Sequence, residues 1–389
     1  MKLILIDIDN TLLDFDAYIR QTMEEGFAHF GLRPYEPWMY DVFHRENNKL
    51  WRQIEEGTLT FPELEKIRWN KVFAALDIAF DGTVFEKYFR TALHESAIPV
   101  EGAKELLETL RRGGFAAYPV GGAVRDLLLG KQPHDWDVTT AARPEQAEAL
   151  LSGCRVIETG VRHGTITVLA GEYPVELTTF RGEGSYTDGR HPDAVTFGVG
   201  LEEDLARRDF TIGAMALNAK TGEVIDPFGG QADLKNRLIR AVGEPDCRFA
   251  EDGLRILRGL RFAAVLGFEI EPGTAAALRG NAPRLKNLSP ERVKAELERL
   301  LCGPAAAPVL REYVDVIGVV LPELLPMVGF MQNNPHHRKD VWEHTLTVLE
   351  NIPAEPALRW AALLHDVEKP SCCTTDEEGV RHFKGHQER

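Results

Sequence analysis

The sequence predicts three fold classes in succession along one chain: an α/β segment, an α+β region built on a mixed sheet, and an all-helical remainder. Three observations carry this. Residues 1–16, MKLILIDIDNTLLDFD, alternate as a buried strand does and lead into a long helical stretch. From residue 101 onward a helix, a glycine turn and several strand patterns alternate. Beyond residue 301 the pattern is helical with proline breaks. At 389 residues the chain exceeds the ~250–300 that one core supports. The expected division is 1–100, 101–240, 241–330 and 331–389.

Composition narrows the classes of function. The chain is 44% hydrophobic and 27% charged, ordinary values for a protein without membrane spans. No apolar run approaches the ~18–20 residues of a span, and the LILI start is too short for a signal peptide. A cytoplasmic protein with no membrane contact is expected. The five cysteines form neither a disulfide framework nor a C-x₂-C metal pattern. A net charge of −15 argues against general nucleic-acid coating, yet leaves room for a local basic patch.

In the first segment the strand ends in Asp7-x-Asp9-x-Thr11, which puts two carboxylates on one face at the C-terminal end of a strand. The helices after it, from 17 to 94, carry Trp38, Trp51 and Trp69 among Phe27, Phe43, Phe73 and Phe85. These aromatics are expected to build a core.

The centre of the chain is the stretch from 118 to 140, YPVGGAVRDLLLGKQPHDWDVTT. An apolar lead-in, Gly121-Gly122 and an amphipathic AVRDLLLG read as strand, tight turn and helix. Backbone N–H groups and the positive end of the helix dipole make such a turn suited to phosphate. Asp135 and Asp137 then share one face of a strand. Two adjacent carboxylates repel unless a proton or a cation separates them, and a hard ion such as Mg²⁺ suits their oxygens. A phosphate cradle beside metal carboxylates points to phosphoryl or nucleotidyl transfer.

Two alternating strands, CRVIETG and GTITVLAG, and a third, YPVELTTF, follow a helix from 144 to 151. In the third, Glu176 faces opposite to Val175 and Leu177. An unpaired buried charge is costly, so an acid in an apolar strand is a candidate third metal carboxylate. Residues 181–198, rich in Gly, Asp and Pro, read as a mobile loop near the site. Arg207 and Arg208 either balance Glu202, Glu203 and Asp204 or place Arg208 on a triphosphate, which its fork binds bidentately. Asp252, Arg255, Arg258 and Arg261 make a polar stripe opposite Leu254, Ile256, Leu257 and Leu260; taken alone, such a stripe is a solvated face of ion pairs.

Two resemblances sharpen these readings. Asp7-x-Asp9-x-Thr11 resembles the first motif of the haloacid dehalogenase superfamily, which implies a nucleophile at Asp7, an acid/base at Asp9 and a helical cap of the nucleotidase type. Where that family would supply a strand ending in Thr-Asn or Ser-Asn, this chain has AAYPVGGAVRD, so the resemblance covers only a front part and efficient phosphatase turnover is not expected. The second resemblance is broader. G-G-A-V-R-D, D-x-D, R-R-D-F-T-I-x-A-M-A, D-P-F-G-G-x-x-D-L, E-D-x-L-R-x-L-R and S-P-E-R-V-x-x-E-L occur in that order between 121 and 301. Together they resemble the bacterial CCA-adding tRNA nucleotidyltransferases and poly(A) polymerases.

That resemblance implies Mg²⁺ on Asp135 and Asp137 with Glu176 as the third acid. It implies nucleotide contacts at Gly121, Gly122, Arg125 and Arg208, and a recognition helix bearing Asp252, Arg255, Arg258 and Arg261. The partners implied are tRNA, CTP and ATP, with no obligate protein partner. Cytosine and adenine both present an amino donor beside a ring-nitrogen acceptor, which a carboxylate and a guanidinium can read together. Uracil and guanine would oppose Asp252 acceptor to acceptor, and such sites reject analogues by ~10⁴-fold. The family has Asn where Gly213 stands and Pro where Gly253 stands.

After 301 the pattern resembles neck and body helices. His337, His344, His365-Asp366, His382 and His386 resemble part of an HD phosphohydrolase domain, with a possible vestigial metal site at His344, His365 and Asp366; Glu368 stands where that family has Gly. Template-independent addition of C, C and A to tRNA is the leading expectation. An A-adding or poly(A)-polymerase-like enzyme is the alternative within the class, and a catalytically impaired tRNA-binding chimera the alternative outside it.

Overall fold

The computed structural model describes residues 15–387 except 56–57, 60, 96–100, 130–135, 171–172, 185, 187–193 and 334–338. The chain divides into two units: 1–179 with 216–223, and 180–215 with 224–389.

Among the described residues, the first unit begins with the four helices Phe15–His29, Trp38–Glu55, Phe61–Ala75 and Gly82–Glu95. Each contributes to a core of large aromatic side chains: Phe27, Phe43, Trp69, Phe73 and Phe85 are all buried. In the third helix Trp69, Val72, Phe73 and, just beyond it, Leu76 recur at three- and four-residue steps, so one face points inward. Trp69 and Phe85 have ring centroids 4.4 Å apart. Arg68 and Glu86 sit inside this region as a doubly bonded ion pair, with Arg68 Nε donating to Glu86 Oε2 at 3.0 Å. The expected aromatic core is corrected at one position. Trp38 begins its helix on the surface, 46% exposed, with the Arg33 guanidinium over its ring. The side chain of Trp51, and the motif Asp7 and Asp9, lie outside the described residues.

The helix Glu101–Arg112 leads into a mixed sheet with strands β1 (Ala117–Val120), β2 (Asp137–Thr140), β3 (Arg155–Gly160), β4 (Thr165–Ala170) and β5 (Tyr173–Thr179). Their order is β3–β4–β5–β2–β1, followed by the short strand Ala216–Leu217. All neighbours run antiparallel except β2 and β5, which are parallel. One sheet face is dry: Ala117, Val138, Ile166, Val168, Val175 and Leu177 pack with Leu106, Leu107 and Leu110 of the preceding helix and with Ala147 of the helix Pro144–Leu150. The alternation seen in the sequence follows from covering that face only.

The second unit begins with a correction. The ends of the expected loop pair as an antiparallel hairpin, Arg181–Glu183 with Val195–Phe197. Its middle, 187–193, lies outside the described residues. The rest of the unit is largely helical. Helix Leu254–Leu266 buries Leu254, Ile256, Leu257, Leu260 and Ala263. Gly259 lies where an added Cβ would stand 3.0 Å from the Phe210 ring, so a larger residue there would require that ring to give by a few tenths of an ångström. The motif D-P-F-G-G-x-x-D-L is explained by folding needs. Asp226 accepts from the N–H groups of Gly230 and Gln231, Gly229 takes φ 78°, and buried Asp233 accepts from the Thr211 hydroxyl.

Candidate functional site

In the first unit, strand register builds the carboxylate site. Asp137 opens β2 and is the register partner of Glu176 on parallel β5, while Val138 partners Leu177. Val138 and Leu177 point into the core, so Asp137 and Glu176 share the opposite face. Adjacent strands lie about 4.8 Å apart, which places the two carboxylates within reach of one cation. Glu176 is exposed and Asp137 half-buried. The burial cost invoked from the sequence therefore does not apply to Glu176; its place beside Asp137 is what singles it out. Asp135 lies outside the described residues.

The glycine turn is next to this pair. Val120, at the end of β1, is the register partner of Asp137. The chain then turns at Gly121, with φ 70° and ψ −132°, into helix Gly122–Leu128. That backbone conformation is open to glycine and strained for other residues. Arg125 does not stand alone at this turn. Its Nε donates to Asp126 Oδ1 at 2.8 Å, and both side chains are mostly covered. Asp126 belongs to the same sequence motif, but nothing in the spacing marked it as the arginine's partner.

In the second unit, the arginines are held by carboxylates. Arg207 bonds buried Asp204 at 3.0 Å, and Arg208 stands 3.9 Å from the same acid while Nη1 donates to the Gly213 carbonyl at 3.4 Å. The balancing partner expected among Glu202, Glu203 and Asp204 is thus Asp204. On helix Leu254–Leu266 the polar stripe is a set of ion pairs, as its pattern suggested; Arg255 pairs locally with Glu251, but Asp252, Arg258 and Arg261 find partners in distant segments, and these three side chains are half-buried while Arg255 is buried. Arg255, 9% exposed, pairs with Glu251 and donates to the carbonyls of Arg248 and Arg207, both at 3.2 Å. Arg258 donates to Asp209 at 2.6 Å, and Arg261 meets buried Glu296 at 2.6 Å. Asp252 accepts from the Leu254 N–H at 2.9 Å and from Arg292 at 3.1 Å.

These pairs set the charge states. Burial raises the Asp209 carboxyl, but the charge and hydrogen bond of Arg258 outweigh it and leave the group below the usual carboxylate range. Asp209 in turn raises Arg258. Burial lowers Arg261, partly offset by Glu296. Asp209, Glu251, Arg292 and Glu296 were not singled out from the sequence, although all four sit inside the motifs R-R-D-F-T-I-x-A-M-A, E-D-x-L-R-x-L-R and S-P-E-R-V-x-x-E-L.

A second cluster lies near the C-terminal end. His344, His365 and Asp366 gather ligand atoms within 4.8 Å of one another. Asp366 Oδ2 is 3.0 Å from His365 Nε2 and 2.7 Å from Lys369 Nζ, and His386 Nε2 is 3.5 Å from Oδ1. Lys369 was not anticipated. His337 lies outside the described residues.

Residues 117–240 match the poly A polymerase head domain, and residues 267–326 match a probable RNA- and SrmB-binding site of polymerase A. A CCA-adding enzyme of Lactobacillus helveticus is 43% identical over 288 residues, covering 72% of this chain and 70% of that protein. The chain belongs to the family of CCA-adding enzymes. Another family member, from Geobacillus stearothermophilus, is 46% identical over 212 residues, covering 54% of this chain and 52% of that protein. The chain thus spans between about half and 70% of these relatives. Among solved structures, the Bacillus stearothermophilus CCA-adding enzyme in complex with CTP aligns with a TM-score of 0.52 at 34% identity, covering 67% of this chain and 77% of that one. The family consists of metal-dependent tRNA nucleotidyltransferases. Among the described residues, no helix is long and apolar enough to cross a membrane.

Proposed function

We propose that this chain adds C, C and A to tRNA 3′ ends from CTP and ATP, with Asp137, Glu176 and Asp135 holding Mg²⁺. The observation that carries the reading is the Asp137–Glu176 register pair beside the Gly121 turn, in a chain of the CCA-adding family. The donor set fits the ion: carboxylate oxygens on one open sheet face suit a hard divalent cation. Bound there, Mg²⁺ supplies Lewis-acid polarisation of the reacting phosphate and eases loss of the 3′-hydroxyl proton.

The chain's own residues do the rest. In the first unit, the backbone N–H groups at Gly121-Gly122 and the Arg125 guanidinium orient the triphosphate. Asp252 accepts from the amino group that cytosine and adenine share. Two of its acceptor sites are taken by Leu254 and Arg292, and a carboxylate has about four. Arg255 donates to the ring nitrogen, while Arg258 and Arg261 brace this face.

The same reading divides the chain into a catalytic head (101–240), neck and body (241–330) and a partial HD-like segment (331–389), at work in the cytoplasm. Residues 1–100 are read as a haloacid-dehalogenase-like segment without a complete phosphatase site. Rapid Mg²⁺-dependent hydrolysis of nucleoside monophosphates, abolished by Asp7→Asn, would contradict that last point.

The deciding experiment incubates the chain with tRNA lacking its 3′ CCA and labelled CTP or ATP. Incorporation of C and then A is expected. Incorporation of A alone would identify an A-adding enzyme instead, and no incorporation with retained tRNA binding would identify an impaired chimera.

A further inference from the structure

The second unit contains a cavity of about 640 Å³, inside the ~300–1,000 Å³ range of ligand pockets. Leu285, Val293, Leu297 and Val320 give it an aliphatic wall, and Trp360 gives it an aromatic one. Val293, Val320 and Trp360 are only half-buried, so these apolar side chains are not sealed by the chain itself. Two exposed lysines, Lys286 and Lys294, line the same cavity. The acid paired with them among the described residues is Glu298, 3.4 Å from Lys294. The Trp360 indole Nε1–H is buried with no hydrogen-bond partner among the described residues. The N–H is therefore sealed from the cavity, and what Trp360 offers an occupant is its ring. All the lining residues except Trp360 fall within 267–326, the segment that matches an RNA-binding family.

We propose that this cavity takes one unstacked nucleotide of the tRNA, its base against Trp360 and the aliphatic wall and its phosphate on Lys286 and Lys294. The inference rests on the reading of the chain as a tRNA nucleotidyltransferase. Aromatic faces combined with cations are the standard means of holding single-stranded nucleic acid. In a chain of net charge −15, two lysines at one apolar cavity favour an anionic occupant.

The test uses the full chain and tRNA lacking its 3′ CCA, with binding followed by fluorescence anisotropy across a salt series. Stacking on an aromatic side chain is worth ~5- to 150-fold in affinity, so Trp360→Leu should weaken tRNA binding by at least ~5-fold while Trp360→Phe retains most of it. Lys286→Glu with Lys294→Glu, both on the surface, should weaken binding and reduce the salt slope by about 0.7 for each phosphate that is no longer neutralised. The Kd for CTP should stay unchanged in every variant. A photoreactive p-benzoylphenylalanine at position 360 should crosslink to tRNA. Unchanged tRNA affinity and salt slope in these variants overturn the proposal, as does a crosslink to protein in place of tRNA, which would mark a docking site for a polypeptide. The activity assay separates the two readings: failure of the wild type to incorporate C and A defeats the proposed function, whereas normal incorporation with unaltered variant affinities defeats only the nucleotide site.

Discussion

Asp137 and Glu176 are register partners across the parallel pair β2–β5, on the sheet face opposite buried Val138 and Leu177. Asp137→Asn keeps the shape and removes one charge. C incorporation should fall by ~10²-fold or more with the Kd for tRNA unchanged. Glu176→Gln, at a more exposed position, should cost ~10-fold. Single-turnover rates with labelled CTP check both, and full activity in Asp137→Asn would remove the metal assignment.

Arg292 anchors one oxygen of Asp252 at 3.1 Å. In Arg292→Leu that carboxylate gains rotational freedom, so its acceptor geometry no longer excludes uracil and guanine as sharply. The ratio of UTP to CTP incorporation should rise by ~10-fold. Fidelity equal to wild type would show that Leu254 alone fixes the carboxylate.

At Gly213 an added Cβ would find Asp209 Oδ1 at 3.7 Å, an ordinary contact, and the backbone is not in the left-handed region. Gly213→Asn should therefore fold and be stabilised by roughly 0.4–1 kcal/mol through the reduced freedom of the unfolded chain. Denaturant unfolding measures this, and destabilisation would mean that the position is more crowded than it is here.

Arg68 and Glu86 are both buried, at 6% and 5% exposure. Glu86→Ala strands a buried guanidinium and should destabilise the four-helix region by ~3–5 kcal/mol, whereas Arg68→Met with Glu86→Leu should be nearly neutral. Thermal melts of both variants decide this; equal losses would show that the helices need the charges themselves.

Burial pushes the Asp366 carboxyl up, but hydrogen bonds from His365 and Lys369 outweigh it and hold the group at about 2. His365 is raised above 6.5, chiefly by its hydrogen bond to Asp366. The depressed carboxyl contributes stability above its unfolded value of 3.8 and loses it as pH falls towards 2. The raised imidazole contributes below 6.5 and loses it as pH rises through the folded value. The second unit should be most stable between about pH 4 and 6.5. Denaturant midpoints across pH test this: His365→Asn should flatten the alkaline decline, and an unaltered decline would exclude the pair as its cause.

Much of the site was legible because strand and turn rules are local. Period-two alternation placed Glu176 opposite Val175 and Leu177, and the glycine pair marked the turn that Gly121 makes. What local rules do not reach is the partner from far along the chain. Arg258 finds Asp209, Arg261 finds Glu296, and Asp252 finds Arg292, across separations of 35 to 49 residues that no helical period encodes. The hairpin of Arg181–Glu183 and Val195–Phe197 was missed because its strands are three residues long and flanked by loop-forming Gly and Asp. Trp38 was misplaced because a side chain at the start of a helix can point to water whatever its size.

The aromatic core around Trp69 and the sheet core around Val138 and Val168 share no residue among those described. Each is stabilised by its own burial, so heat need not melt them together. A calorimetric trace of this chain should be broader than one cooperative step, with a van't Hoff enthalpy below the total heat absorbed, and a single midpoint temperature would describe neither region.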